Sequence, residues 1–124
     1  MAVANPLVVS TLPHFYVLLF NLPNPYTLIV LHSCFLSVAW HSTTPHNRLV
    51  GVADYVLAGA WQAADMWYFW DTPYFWTVLC WNCIVFLCNQ AVDKMKISYD
   101  FWHSTWHLLS AAKAIYVASL FAKI

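Results

Sequence analysis

The chain has 124 residues, of which 62% are hydrophobic and only 8% are charged, and its formal net charge at pH 7 is zero. A water-soluble domain of this length needs more charge to cover its surface, so the composition predicts an integral membrane protein with a single domain, in the plasma membrane or an endomembrane. The zero net charge gives no indication of a nucleic-acid partner.

Five apolar stretches approach the roughly 20 residues of a membrane-spanning helix, and they predict an all-α polytopic bundle of about five transmembrane helices. Pro6 and Pro13 interrupt the first stretch, and proline disfavours the interior of a helix. Before the fourth stretch, Asp71 or Thr72 can cap the helix and Pro73 suits its first turn. The predicted helices cover about residues 3–20, 26–41, 49–70, 74–92 and 101–121.

The charged residues between these stretches predict an orientation. The N-terminus lacks the basic residues of a cleavable signal peptide, so we expect the first stretch to remain as an anchor. Arg48 lies in the second loop and Lys94 and Lys96 lie in the fourth, which places both loops in the cytoplasm by the positive-inside rule. Lys123, at the far end of the fifth helix, weakens this signal.

Two histidines four residues apart, His103 and His107, begin the fifth predicted helix. Residues with this spacing lie on one helix face. His41 ends the second helix, so all three histidines lie at a similar depth below the basic loops. Three neutral imidazoles suit a catalytic zinc ion and leave a fourth position for water. The pattern predicts a zinc site between helices two, three and five, although a HxxxH pair is also typical of two interfacial histidines bonded to water.

Two further polar side chains share this depth. Ser37 lies one turn before His41, and Asp54 lies about two turns into the third helix. Asp54 could orient or deprotonate a water molecule, and Ser37 could donate a hydrogen bond to a ligand or to a developing oxyanion. We therefore take Asp54 and Ser37 as candidate catalytic residues. A site at the boundary of lipid and water suits a substrate with a polar head and acyl tails.

The other histidines and the cysteines have simpler interpretations. We interpret His14 and His32 as structural residues and His46 as a solvated loop residue. Cys80 and Cys83 have the CxxC spacing of redox and zinc motifs, but no second such pair accompanies them. We interpret the cysteines as small side chains that face lipid or a neighbouring helix.

The motifs Ser37-Val-Ala-Trp-His41, Asp54-Tyr and His103-Ser-Thr-Trp-His107 together resemble the SxxxH, D and HxxxH pattern of the CREST membrane hydrolase superfamily. That superfamily includes alkaline ceramidases, GPI-anchor lipid-remodelling hydrolases, progestin and adiponectin receptors and the myomaker proteins. The resemblance implies that the three histidines bind zinc beside the serine and the aspartate. It also implies hydrolysis of an amide or ester bond in a lipid substrate.

The resemblance covers about residues 33–60 and 99–120, and the run Ala53–Gly59 is most similar to the lipid-remodelling and myomaker branches. Members typically have seven transmembrane helices, whereas this chain offers five. It would then be a compact homologue, a fragment or a half-size version that forms a homo-oligomer. Some branches have no established enzymatic activity, so the alternative function is a receptor or fusion-type membrane protein with a structural zinc.

Lys113 lies in the middle of the fifth stretch, at a depth similar to that of Asp65 in the third. A charged side chain inside a membrane needs a partner, so we predict that Lys113 pairs with Asp65 or faces a polar cavity. A Schiff base between Lys113 and retinal, with Asp54 or Asp65 as counter-ion, is a third hypothesis. It leaves the HxxxH motif unexplained, and five helices are few to enclose a retinal.

Small residues at the centres of helices three and five predict that these two helices contact each other directly, because such residues let backbones approach closely in lipid. They are Ala58, Gly59, Ala60, Ala63 and Ala64 in helix three and Ala111 and Ala112 in helix five.

Overall fold

The computed structural model describes residues 5–20, 25–42, 48–91 and 99–124, and these residues form an all-helical protein. No helix in the described ranges is both long and apolar enough to cross a membrane. His46, which is predicted to be solvated, lies outside the described ranges, as do Lys94 and Lys96, on which part of the predicted orientation depends. The α-helices are α1 (Pro6–Val9), α2 (Pro25–Ser42), α3 (Arg48–Phe69), α4 (Phe75–Ala91) and α5 (Tyr99–Leu120), with 3-10 helices at Leu12–Phe20 and Phe121–Lys123.

The first predicted helix, residues 3–20, is not a single α-helix. It is divided into α1, which ends at Val9, and the 3-10 helix Leu12–Phe20, which we call the N-terminal 3-10 helix. Pro13 explains the break, because it has no N–H to donate and its ring would clash with the carbonyl of Val9 in a continuous α-helix. The chain continues with tighter turns, in which His14 N donates to Thr11 O at 3.2 Å.

The other four helices begin and end within two residues of the predicted bounds. Pro25 is the first residue of α2, where its missing N–H costs nothing. Of the two predicted caps for α4, Thr72 makes the contacts. Its hydroxyl oxygen accepts from Tyr74 N at 3.3 Å, and its carbonyl accepts from Phe75 N at 3.2 Å. The starts of α2 and α4 are therefore determined by nearby residues, a proline in α2 and the hydrogen bonds of Thr72 before α4.

The helices close into a ring. The N-terminal 3-10 helix packs against α2, α2 against α3, α3 against α4, α4 against α5, and α5 returns to the N-terminal 3-10 helix. In this order α3 and α5 lie across the ring, and their backbones share at most isolated contacts within the described residues. The close backbone approach predicted from the small residues is therefore not observed, and helices three and five contact each other through side chains instead. Ala60 and Ala63 are exposed, and a Cβ added at Gly59 would meet no atom within 4 Å.

A buried ion pair spans the interior of this ring. Lys113 Nζ lies 2.7 Å from Asp65 Oδ2, and the two side chains are 1% and 0% exposed. Lys113 Nζ also donates to Asn82 Oδ1 at 3.0 Å and lies 4.1 Å from the centre of the Trp61 ring. The predicted pairing of Lys113 with Asp65 is confirmed. Long side chains, rather than close backbones, connect α3 to α5.

The outer surface is unusually apolar. Trp67 is 82% exposed, Leu49 77% and Trp76 72%, and large apolar side chains are exposed on every α-helix from α2 to α5. A charged pair therefore lies in the interior while bulky hydrophobic groups face outward, the reverse of the usual distribution in a water-soluble domain.

Candidate metal centre

Three buried histidines converge at one end of the ring. His41 lies in the last turn of α2, and His103 and His107 project from the first half of α5. One ligand atom of each lies within 4.8 Å of the others, and the set could hold a metal ion. Tetrahedral zinc with bonds of 2.0–2.1 Å would bring its nitrogen ligands to about 3.4 Å from one another, so a small rotation of the rings completes the site.

His107 is held in one tautomer by two hydroxyl groups. Ser10 Oγ and Thr11 Oγ1 both donate to the carbonyl of Leu7, at 3.2 and 2.9 Å. Each hydroxyl has only one hydrogen, so both oxygens accept from Nδ1–H of His107, at 2.9 and 3.2 Å. The proton on Nδ1 leaves Nε2 with a free lone pair. Nε2 is therefore the atom of His107 that is available to a metal.

Ser37 lies next to this metal-binding atom. Its hydroxyl is 3.3 Å from Nε2 of His107, and the side chain is buried one turn before His41 on α2. Because Nε2 is unprotonated in this tautomer, the hydroxyl of Ser37 is the donor. The structure thus brings the predicted serine to the three predicted histidines.

Asp54 is buried on α3 but does not belong to the converging set of ligand atoms. It lines a cavity of about 30 Å³ together with Ser37, His107 and Lys113, which we call the inner cavity. This volume holds about two water molecules, and its polar walls can bind them. Asp54 thus lines a cavity next to His107 and contributes no atom to the converging set.

Asn5, Ser10 and Thr11, which are not among the predicted site residues, contact both histidine-bearing helices. Asn5 Nδ2 donates to the carbonyl of His41 at 2.8 Å, and Asn5 Oδ1 accepts from Leu7 N at 2.9 Å. The hydroxyl oxygens of Ser10 and Thr11 are hydrogen-bonded to Nδ1 of His107 on α5. The available signal was the adjacent hydroxyl side chains of Ser10 and Thr11 within a mostly apolar stretch.

His14, His32 and the four cysteines do not belong to the converging set, although His14 and Cys34 line the inner cavity with His107. Nδ1 of buried His14 donates to Thr11 O at 2.7 Å, and Nδ1 of exposed His32 donates to Leu28 O at 2.7 Å. Both contacts are local and structural. All four cysteines are free, with two buried and two exposed.

Comparison of the chain with protein-family models, with curated proteins and with solved structures gives no match in any of the three.

Proposed function

We propose that this protein is a zinc-dependent hydrolase that cleaves an amide or ester bond of a lipid within a membrane. The observation that carries the proposal is the convergence of His41, His103 and His107 beside Ser37 and a polar cavity. Three imidazoles and an open position are the ligand set of catalytic zinc, although other transition metals also accept histidine. The ordered resemblance of the same residues to the CREST motifs supports the same reaction.

The distribution of side chains supports placement in lipid. Bulky apolar groups such as Trp67 and Leu49 face outward, while the ion pair and the histidines are inside. An apolar exterior of this kind is stable against acyl chains and unfavourable against water. We therefore propose a polytopic membrane bundle with the metal site between α2 and α5 and with Asp54 of α3 beside it.

The proposed mechanism gives each side chain a separate role. When bound, zinc would polarise the substrate carbonyl and acidify water. As a general base, a carboxylate oxygen of Asp54 accepts a proton from a water molecule in the inner cavity while the water oxygen bonds to the carbonyl carbon, and it then gives that proton to the nitrogen or oxygen that leaves. The hydroxyl of Ser37 donates a hydrogen bond to the oxyanion that develops on the carbonyl oxygen. The hydroxyls of Ser10 and Thr11 keep Nε2 of His107 unprotonated.

Metal content is the first test. We expect about one zinc per chain in detergent-purified protein, because three imidazoles plus one open position form a single site. Mass spectrometric metal analysis should show that the ion is lost in the His103→Ala/His107→Ala variant. The His32→Ala variant should retain it, because His32 is exposed and bonded only within its own helix. A well-folded wild-type protein without metal would contradict the proposal.

Hydrolysis is the second test. Ceramide and phospholipids should be cleaved by the zinc-loaded protein, and Asp54→Asn should lower kcat by about 10²–10⁴-fold, the usual contribution of a general base. The same variant should keep its zinc, because Asp54 lies outside the converging set. Zinc without hydrolysis of any lipid would instead favour a receptor or fusion-type protein with a structural metal.

A further inference from the structure

A groove runs along the outer surface between α3 and α4. It consists of two adjoining depressions of about 390 and 300 Å³, and Gly59, Gln62 and Phe86 line both. These volumes lie in the range of sites that bind small organic molecules. Along α3 the groove extends from Tyr55 to Met66, which is about 17 Å at 1.5 Å per residue. We call this feature the outer groove.

One end of the outer groove adjoins the candidate metal centre. Ala58, Gln62 and Trp106 line both the outer groove and the inner cavity, so these side chains form the wall between the two. Trp106 directly precedes His107, and its ring centre lies 4.8 Å from that of His103. Its indole N–H is buried without a hydrogen-bond acceptor among the described residues. Buried donors normally have an acceptor, so this one is available to an oxygen of a ligand.

The polarity of the outer groove changes along its length. Gln62 lines both parts, and the end next to Trp106 also has the amide side chains of Asn89 and Gln90. The other end has Leu79, Met66 and Asn82, and the amide of Asn82 is already bonded, accepting from Lys113 Nζ and donating to Val78 O. No charged residue is among the described side chains that line either part. Such a surface complements an amphiphile with an uncharged polar group at one end and a hydrocarbon chain at the other.

We propose that the outer groove binds one hydrocarbon chain of the substrate, with the amide or ester group at the end formed by Gln62 and Trp106. The chain lies along Gly59 and Phe86, and the polar group reaches the wall of the inner cavity. The identity of the bond that is cleaved rests on the proposed function. Binding of the chain uses apolar contacts that do not include the three histidines, so it can be tested separately.

Gly59 provides a means to block the groove without disturbing the fold. A Cβ at this position meets no atom within 4 Å, so a larger side chain would project into open space of the groove. Gly59→Leu should therefore occupy the binding site while α3 stays intact. Ala63→Leu is a second blocking variant, because exposed Ala63 also lines the groove. Ala60→Leu is the matched control, since Ala60 is exposed on α3 but lines neither part of the groove.

The experiment uses a hexadecanol analogue with a diazirine on its chain as the probe, because its polar group is uncharged and it has no bond that the protein could hydrolyse. The zinc-loaded protein is irradiated with the probe in detergent micelles, with and without excess hexadecanol, and the labelled residues are mapped by mass spectrometry. We expect labels at Met66, Cys83 and Phe86, which hexadecanol at about ten times its Kd should reduce about tenfold by mass action. Gly59→Leu and Ala63→Leu should lose this competed labelling, and Ala60→Leu should keep it.

Two results would overturn the inference. One is labelling of the outward residues Ile84 and Leu87 as strong as that of the groove, which would mean general adsorption to an apolar surface. The other is unchanged competed labelling in both folded blocking variants. The His103→Ala/His107→Ala variant separates this inference from the proposed function. This variant should lose zinc and keep the competed groove labelling, because neither histidine lines the groove. Groove labelling in a wild-type protein that binds no zinc would refute only the hydrolase, whereas zinc-dependent hydrolysis by the wild-type protein without groove labelling would refute only the groove.

Discussion

Ser10 and Thr11 act on the candidate metal centre through a single nitrogen atom of His107. By accepting from Nδ1–H they direct the lone pair of Nε2 toward Ser37 and the other histidines. Loss of hydrogen bonds of this type weakens metal binding by about 10–100-fold in other proteins. We predict a decrease of that size in the Ser10→Ala/Thr11→Val variant, measured by competition with a chromophoric zinc chelator.

Ser119→Ala is the control for this prediction. Its hydroxyl donates to Tyr116 O at 2.6 Å near the other end of α5, so its loss should leave zinc affinity unchanged. Equal affinity in wild type and in the Ser10→Ala/Thr11→Val variant would show that His107 keeps its orientation without the two hydroxyls.

At the scale of helices, the packing of α2 against α3 depends on the absence of a side chain at Gly51. A Cβ there would lie 2.9 Å from the ring of Trp40, which is shorter than a van der Waals contact. We predict that Gly51→Ala destabilises the protein by about 1–3 kcal/mol, the usual cost of overpacking. Trp40 directly precedes His41, so zinc affinity should also fall. Thermal unfolding and chelator competition measure the two effects.

The second glycine of the chain is the matched control. Gly59 lies on the same helix, and a Cβ there meets no atom within 4 Å. Gly59→Ala should therefore stabilise the protein by about 0.5–1 kcal/mol through helix propensity alone. If Gly51→Ala were equally stabilising, the close approach of α2 and α3 at Trp40 would not be a tight contact.

At the scale of the whole molecule, the ion pair of Lys113 and Asp65 connects opposite sides of the ring. Removal of one partner from a buried pair leaves an uncompensated charge and typically costs about 3–5 kcal/mol. We predict losses of this size for Lys113→Met and for Asp65→Leu in denaturant unfolding. The double variant Lys113→Met/Asp65→Leu should recover most of the loss, since it leaves neither charge buried.

A double variant as unstable as the sum of the two single variants would contradict that prediction. It would mean that Lys113 and Asp65 act through other neighbours, such as Asn82 and Trp61, rather than through each other.

The sequence predicts the features that depend on the spacing of residues along the chain or on the free-energy cost of burying a charged side chain. The i, i+4 spacing of His103 and His107 places the two imidazoles on one helix face. The apolar stretches predict the first and last residues of α2, α3, α4 and α5 to within two positions. The pairing of Lys113 with Asp65 follows from the cost of an isolated buried charge.

Features that depend on contacts between distant segments were not predictable in the same way. Ser10 contacts His107 across a separation of 97 residues, and no local pattern encodes that contact. Small residues such as Gly59 and Ala63 show where a close approach is sterically allowed, but not which helix makes it. In the structure these residues line the outer groove instead of contacting α5.

The order of the helices in the ring has a consequence for biosynthesis. α5 follows α2, α3 and α4 along the chain, and it supplies two of the three histidines and the only cation that pairs with Asp65 among the described residues. It also closes the ring by packing against the N-terminal 3-10 helix, which precedes α2 in the chain. A nascent chain that ends before Tyr99 thus has an unpaired interior carboxylate and one histidine ligand. The three-histidine set and the closed ring therefore form only after α5 has been synthesised, and a chain truncated before α5 keeps an unpaired carboxylate by which quality control can distinguish it.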